Sequence, residues 1–485
     1  MPERTAKTSN PGYLLGLRSL EIETQKPRVL EIEGRLPPEL CGTLYRIGPA
    51  RHEIYGERLG HWFDGDGMVH AIRLGDGPPR YTSRFVQHRA HVEEDAAKRR
   101  LYGSFGTPAP GGPLRRFLRR NKRRNPANTH IIDHDDKLLA LCEGGRPWRI
   151  DPIDLHTLGE EDLGGVLANA NTTFSAHPCV DPETSELWNF GAEIGRQPKL
   201  HFYRWPLGGA AIRVTTTVLP FSAMIHDFAL TRSSMVVVAT PMVIPTIPLA
   251  LALGQSSYGQ QLRYRPELGV WVGLIDRESG QAHWHRTDPF ISFHLANAYD
   301  DNDDVVIDLS TYDDDGFLSI AFEMMQGPIR SETAGRLRRL RVDRGGRAPR
   351  QSVLLDRGFE FPRILDSLTC RKHRMIYGLT WDDPKDIPRR PSRYDVERGE
   401  LSVAPARADE WAGECVPVPK ADAQSEADTW LLSVVLNAAT ECSELQVFDG
   451  DDLPAGPVAR VPLPLVMPFG FHGSWVKAKT STEHT

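Results

Sequence analysis

Residues 448–475 read FDGDDLPAGPVARVPLPLVMPFGFHGSW. The stretch opens on a turn, Phe448-Asp449-Gly450, and reaches His472 23 residues after Asp449. Asp and Gly suit the turn because both tolerate tight or left-handed backbone angles. The same turn recurs upstream at Leu74-Gly75-Asp76-Gly77, Ile150-Asp151-Pro152, Trp205-Pro206-Leu207-Gly208, Ile275-Asp276-Arg277, Val342-Asp343-Arg344 and Tyr394-Asp395-Val396. Between the turns, short runs rich in Val, Ile, Tyr, Phe and Trp alternate with Gly, Asp and Pro clusters, which is a strand-and-turn pattern. Three more histidines stand at a similar distance behind such a turn: His177 is 26 residues after Asp151, His226 is 21 after Trp205, and His294 is 18 after Asp276.

Seven outer hairpins would fit the blades of a β-propeller, and the repeat alone also fits a two-sheet all-β protein. The spacing, from about 50 to 77 residues, exceeds the ~40–45 of a compact blade, so several blades carry insertions. In a propeller, the interval from turn to histidine runs from a blade's outer hairpin to the next blade's innermost strand. Four equivalent positions would then bring four imidazoles to one point on the axis. The other thirteen histidines, among them His61, His88, His134 and His283, lack that phase and read as core or surface residues.

Four imidazoles admit several metals. Around Zn(II), four nitrogens close a tetrahedral, structural site. Fe(II) prefers six ligands, so four histidines leave two positions for O2, water or substrate. Ligating histidines usually donate their other N–H to an acid. Glu143, Glu360 and Glu414 stand beside β-like runs flanked by Cys142, by Phe359 and Phe361, and by Cys415, a setting that favours burial and makes them candidates for that role.

These residues resemble the carotenoid cleavage oxygenase family, which includes apocarotenoid and stilbene cleavers. The resemblance runs from Leu44–Ala50 through His61–Val69, Asn128-Thr129, Leu138–Gly145, Phe174–Pro178, Ile225–Phe228, Phe293–Tyr299, Phe359–Arg363 and Glu414–Pro419 to Phe471–Trp475. It implies an all-β, seven-bladed propeller spanning residues 1–485 as one domain, capped by a helical and loop dome. It implies Fe(II) on His177, His226, His294 and His472, with Glu143 behind His226, Glu360 behind His294 and Glu414 behind His472. His177 would have no carboxylate partner. Thr129 matches a position whose methyl group crowds one open iron site, and the Asp64–Val69 motif would be structural. The implied reaction is cleavage of a conjugated alkene by O2 into two carbonyl compounds.

Stilbene cleavers place a lysine before the first of these glutamates and a tyrosine upstream. Here Cys142 precedes Glu143, and Phe105 stands for the tyrosine in the pocket. With no polar anchor, a long apolar polyene is favoured over a phenol such as resveratrol. A propeller scaffold with a structural metal is the non-enzymatic alternative. Retinoid isomerisation with ester cleavage is a further enzymatic one.

The largest insertions, 93–126 and 242–264, are read as lid pieces, with helices over Glu93–Leu101 and Leu114–Arg124. Met242, Ile244, Ile247 and Leu249 would form an apolar patch for substrate drawn from a membrane. The basic run Arg115, Arg116, Arg119, Arg120, Lys122, Arg123 and Arg124 would add contact with anionic lipid. A net charge of -6 lacks the basic footprint of a nucleic-acid binder. The six cysteines form no metal or disulfide framework, and no secretory signal is visible, so the reading is of a cytoplasmic protein at most peripheral on a membrane.

Overall fold

In the computed structural model, each of the seven predicted turns joins the third and fourth strands, counted from the axis, of an antiparallel sheet, five of these sheets being four-stranded and the first and last carrying added edge strands. The structure describes residues 11–479 except 76, 120–123, 170–171, 245–252, 254 and 334. The seven sheets are the blades of a propeller. Their innermost strands, in order around the axis, are Gly473–Lys477 (blade 1), His130–His134 (blade 2), Cys179–Val180 (blade 3), Phe228–Leu230 (blade 4), Leu295–Asp301 (blade 5), Gly358–Arg363 (blade 6) and Glu410–Ala412 with Val416–Pro419 (blade 7).

Blade 1 is built from both ends of the chain. Gly42–Arg51 pairs with Gly473–Lys477 over the register Gly42↔Lys477 to Arg46↔Gly473, which closes the ring and leaves no free inner edge. Middle strands such as Ser234–Ala239 and Met375–Trp381 are buried along their whole length, because each blade is covered on both faces by its neighbours. Outer strands such as Ile212–Val218 are largely exposed. Seven apolar clusters fill the seven gaps between blades, for example Leu44, Ile72, Leu432 and Leu445 between blades 1 and 7.

The insertions supply the helices. Helix α1, Arg89–Ala97, starts four residues before the predicted Glu93–Leu101. The His88 ring caps its first turn by accepting from the His91 N–H, and it stops at Lys98 in a left-handed conformation. Helix α2, Pro113–Arg119, covers only the first part of the predicted Leu114–Arg124, and Pro113 presets its first turn. Helix α3, Tyr258–Gln261, carries a Ser257–Gln260 capping box inside the 242–264 insertion. Helix α4, Gly316–Glu323, lies between the second and third strands of blade 5 and had no counterpart in the sequence reading. A cluster of Met242, Ile244, Leu262, Ile291, Phe293, Tyr312 and Trp381, with Phe105 and Phe317 against it, joins the insertions to blades 5 and 6. All six cysteines are free.

Candidate metal centre

His294 and His472 directly precede the innermost strands of blades 5 and 1, and His177 and His226 stand two residues before those of blades 3 and 4. One ring nitrogen from each of the four lies within 4.8 Å of the other three. The rings pack with centroids 4.4 Å (His177–His226), 4.7 Å (His177–His472) and 5.1 Å (His226–His294, His294–His472) apart.

Each predicted glutamate lies against one histidine. Nδ1 of His294 is 2.6 Å from Oε2 of Glu360, and Nδ1 of His472 is 2.8 Å from Oε1 of Glu414. Glu143 Oε1 lies 2.6 Å from Nδ1 of His226 but off the line of the ring N–H, which leaves that nitrogen without an aligned hydrogen bond. Its side chain is 30% exposed, against 1% for Glu360 and 2% for Glu414. Among the described residues His177 has no carboxylate in hydrogen-bond reach, and Asp227 Oδ1 lies 3.8 Å from its Nδ1.

The carboxylates are held in turn. The Tyr312 hydroxyl donates to Glu360 Oε1 at 2.7 Å. Arg46 donates to Glu414 Oε2 at 2.6 Å, and Arg363 lies 3.6 Å from Oε1. Asp227 accepts the backbone N–H groups of Phe228 and of Leu295, the residue after His294. Burial alone would raise the Glu414 carboxyl, but His472, Arg363 and Arg46 outweigh it and hold the group well below the usual carboxylate range. For Glu360, His294 and the Tyr312 hydroxyl likewise overcome burial and lower it. Burial pushes the His472 imidazole down to about 3 and, with the neighbouring rings, holds His177 well below its ordinary value.

This donor set fits a divalent cation on three counts. The Nε2 atoms of His226 and His294 face each other at 3.3 Å, close enough for one cation to be held between them. Nε2 of His177 is buried without a partner, which is costly for a polar atom unless an ion takes it. Four carboxylates (Glu143, Glu360, Glu414, Asp227) touch the histidines, and two guanidiniums (Arg46, Arg363) touch Glu414. Arg363 is shared with Asp366 at 3.4 Å, so a net negative charge is left for a +2 ion to offset.

Thr129 joins the site through its backbone: its carbonyl accepts the His472 N–H at 3.1 Å. Phe105 stands farther out, packed on His61, Phe63 and Tyr258. The proposed apolar patch is corrected at two positions. Met242 and Ile244 are each 2% exposed and belong to the core beneath the insertions, while Ile247 and Leu249 lie outside the described residues. Arg124 is also not a surface cation. It is buried between Asp66 and Glu94 in an ion-pair cluster where Asp66 also meets His88 Nε2 at 2.9 Å and His91 Nδ1 at 3.0 Å. Arg120, Lys122 and Arg123 lie outside the described residues.

Arg46, Asp227, Tyr312 and Arg363 did not come out of the sequence reading as site residues. Asp227 was the most accessible, since it directly follows a predicted ligand.

The sequence profile of the retinal pigment epithelial membrane protein family matches residues 17–477. The chain is 32% identical over 466 residues to the apocarotenoid-15,15'-oxygenase of Synechocystis, covering 93% of each chain. It is 30% identical to resveratrol cleavage oxygenase 1 of Aspergillus fumigatus (93% of this chain, 92% of that one). It is 29% identical to the isoeugenol monooxygenase of Pseudomonas nitroreducens (92% and 94%). Among solved structures, the cobalt-substituted Synechocystis apocarotenoid oxygenase superposes with a TM-score of 0.89 at 30% identity, covering 96% of this chain and 98% of that one.

Proposed function

The chain belongs to the carotenoid oxygenase family, and from that premise we propose that it is a non-haem Fe(II) oxygenase that cleaves a conjugated C=C bond of a carotenoid or apocarotenoid with O2, giving two carbonyl products. The observation that carries the reading is the meeting of four imidazoles with carboxylates one layer behind them. Four ligands leave a six-coordinate ion two positions, where a closed tetrahedral site leaves none. When bound, Fe(II) supplies the one-electron chemistry through which O2 reacts with an alkene.

The chain's own residues do the rest. Glu360 and Glu414 fix the tautomer and direction of His294 and His472 by accepting their Nδ1–H, and Glu143 sits at the equivalent nitrogen of His226. Phe293 packs 5.4 Å from His226, and Phe361 packs 5.1 Å from His294 and 5.5 Å from His472. These rings exclude water and offer flat apolar faces to a polyene. Thr129, beside His472, is the residue proposed to narrow access for O2. The insertions 93–126 and 242–264, with α4, form the proposed dome.

The polyene is preferred to a phenolic alkene for a local reason. Cys142 precedes Glu143, and burial pushes its thiol up to about 12, so it presents no charge to a phenol. Among the described residues, the non-histidine rings in contact with the four histidines are both phenylalanines. The resveratrol- and isoeugenol-named relatives are the reason for a second reading, cleavage of a phenolic alkene. Incubating the iron-loaded protein under air with β-carotene, apocarotenals, resveratrol and isoeugenol, with products identified by mass, decides between them. Cleavage of a phenolic alkene and no polyene overturns the substrate assignment, and no cleavage of any with O2 consumption at background overturns the enzyme.

Substrate of this kind partitions into membranes. Among the described residues, no helix is long and apolar enough to cross one. Helix α2 carries Leu114 and Leu118 at 73% and 69% exposure beside Arg115 and Arg116. It is therefore the proposed site of peripheral contact in place of Met242 and Ile244. Failure to co-sediment with anionic vesicles at low salt overturns that contact.

A further inference from the structure

Blade 2 stands between blades 1 and 3, which carry His472 and His177, and its innermost strand begins at His130. A fifth axial histidine would stand here, yet the ring does not join the other four. Its Nδ1 lies 2.8 Å from the carbonyl oxygen of Ala176. A carbonyl only accepts, so Nδ1 carries the proton and donates, and Nε2 is a bare acceptor. That Nε2 is buried and has no partner among the described residues. The ring centroid is 5.2 Å from that of His472 and 6.3 Å from that of His177.

Ala176 is fully buried and directly precedes His177. The same short segment is tied elsewhere. Asn189 Nδ2 donates to the Ser175 carbonyl at 2.8 Å, and the His177 N–H donates to Ser175 Oγ at 3.1 Å. On the other side, the Thr129 carbonyl accepts the His472 N–H at 3.1 Å. Residues 129 and 130 thus grip the backbone of two ligands on two different blades.

His177 is the ligand that needs such support. The Nδ1 atoms of the other three face a glutamate at 2.6–2.8 Å, whereas its own lies 3.8 Å from Asp227. We propose that His130 is the positioning residue for His177: its ring N–H pins the Ala176 peptide and so fixes the direction of the imidazole that follows. The carboxylates do this for the other ligands through the ring, and His130 does it through the backbone. The inference rests on reading the four histidines as a metal centre.

Co(II) titration of the metal-free protein tests it, read by affinity and by the visible bands of the bound ion. His130→Asn carries an amide nitrogen near the Nδ1 position and can still donate to Ala176. His130→Gln carries it one carbon farther out, and His130→Phe keeps the ring volume without a donor. His130→Asn is expected within about threefold of wild type, and His130→Gln and His130→Phe weaker by ~10–100-fold with shifted bands. Wild-type affinity and bands in all three variants overturn the assignment. So does His130→Asn as weak as His130→Phe, which makes ring packing the whole role. If His130→Phe fails to fold by circular dichroism, the Asn–Gln pair decides. A wild type that takes up no Co(II) overturns the metal centre itself, whereas uptake by wild type and undiminished uptake by the variants overturns His130 alone.

Discussion

Arg46→Met removes the cation that lies closest to Glu414, and the structure sets the size of the effect. Both side chains are 2% exposed, and the guanidinium meets Oε2 at 2.6 Å while its other nitrogen donates to the Phe471 carbonyl at 2.9 Å. Breaking a buried pair from one side costs about 3–5 kcal/mol, because the remaining charge stays buried. Glu414 retains His472, the Gly473 N–H at 2.9 Å and Arg363 at 3.6 Å, so the lower end, about 3 kcal/mol, is expected. Glu414→Gln strands Arg46 and should cost a similar amount. The double variant carries neither charge and should lose less than the sum of the two by about 2 kcal/mol. Chemical denaturation of the metal-free chain, followed through its ten tryptophans, measures all four proteins. Additivity within about 0.5 kcal/mol, or a loss below about 1 kcal/mol for Arg46→Met, would refute the reasoning.

Glu360→Gln should weaken Co(II) binding toward the ~100-fold end of the range for outer partners and Glu143→Gln only toward ~10-fold, since Glu143 is more exposed and off the His226 N–H axis; titration of the two variants giving the reverse order would mean that alignment does not set the effect. Gly48→Ala should destabilise the fold by ~1–3 kcal/mol and weaken metal binding with it, because the new Cβ would meet the Cα of Gly470 at 2.3 Å, two residues before His472; thermal melting and the same titration check both. Burial pushes the Asp64 carboxyl from 3.8 up to about 6, against hydrogen bonds from the Gly106 N–H and the Thr107 hydroxyl. Between those values the folded state keeps a proton that the unfolded state has released, so stability falls as pH rises through the window and levels off above it. The stability difference between wild type and Asp64→Asn should therefore decline by ~2 kcal/mol from pH 4 to 6, and unfolding midpoints showing it flat or rising would exclude a raised Asp64.

The propeller was legible through the family resemblance, which implied seven blades; the turns, where Asp and Gly answer a backbone demand that recurs in every blade, agreed with it but alone also fitted a two-sheet protein. The four clustered histidines were legible because each follows such a turn at a similar interval, so local sequence carried their position around the axis. Partners reached across the fold left no such trace. Arg46 meets Glu414, 368 residues away, and Tyr312 meets Glu360, 48 residues away. Arg124 ended a basic run and read as a contact for anionic lipid, yet its acids are Asp66 and Glu94, 58 and 30 residues earlier. Helix α1 was displaced by four residues because a histidine ring caps it, and His88 is not among the usual capping types. Helix α4 was missed because it follows Asp313-Asp314-Asp315, a run that signals a turn, and its cap residue makes no side-chain hydrogen bond.

The distribution of charge around the axis explains why neutral ligands suffice. Blades 1, 3, 4 and 5 offer imidazoles to the centre, while Glu360 on blade 6 and Glu414 on blade 7 stop one layer short and reach Nδ1 rather than the ion. A carboxylate bound directly would take one of the open positions and cancel part of the +2 charge at the ion itself. Placed behind the rings, the same charges would offset the charge of the proposed ion without occupying its open positions. Arg46 and Arg363 then hold the Glu414 charge in place. A centre arranged this way should keep its metal in Glu414→Asp, whose charge survives, better than in Glu414→Gln, whose hydrogen-bonding shape survives. Retention measured by metal content after gel filtration separates charge from shape, and Glu414→Gln retaining the more metal would assign the layer to geometry alone.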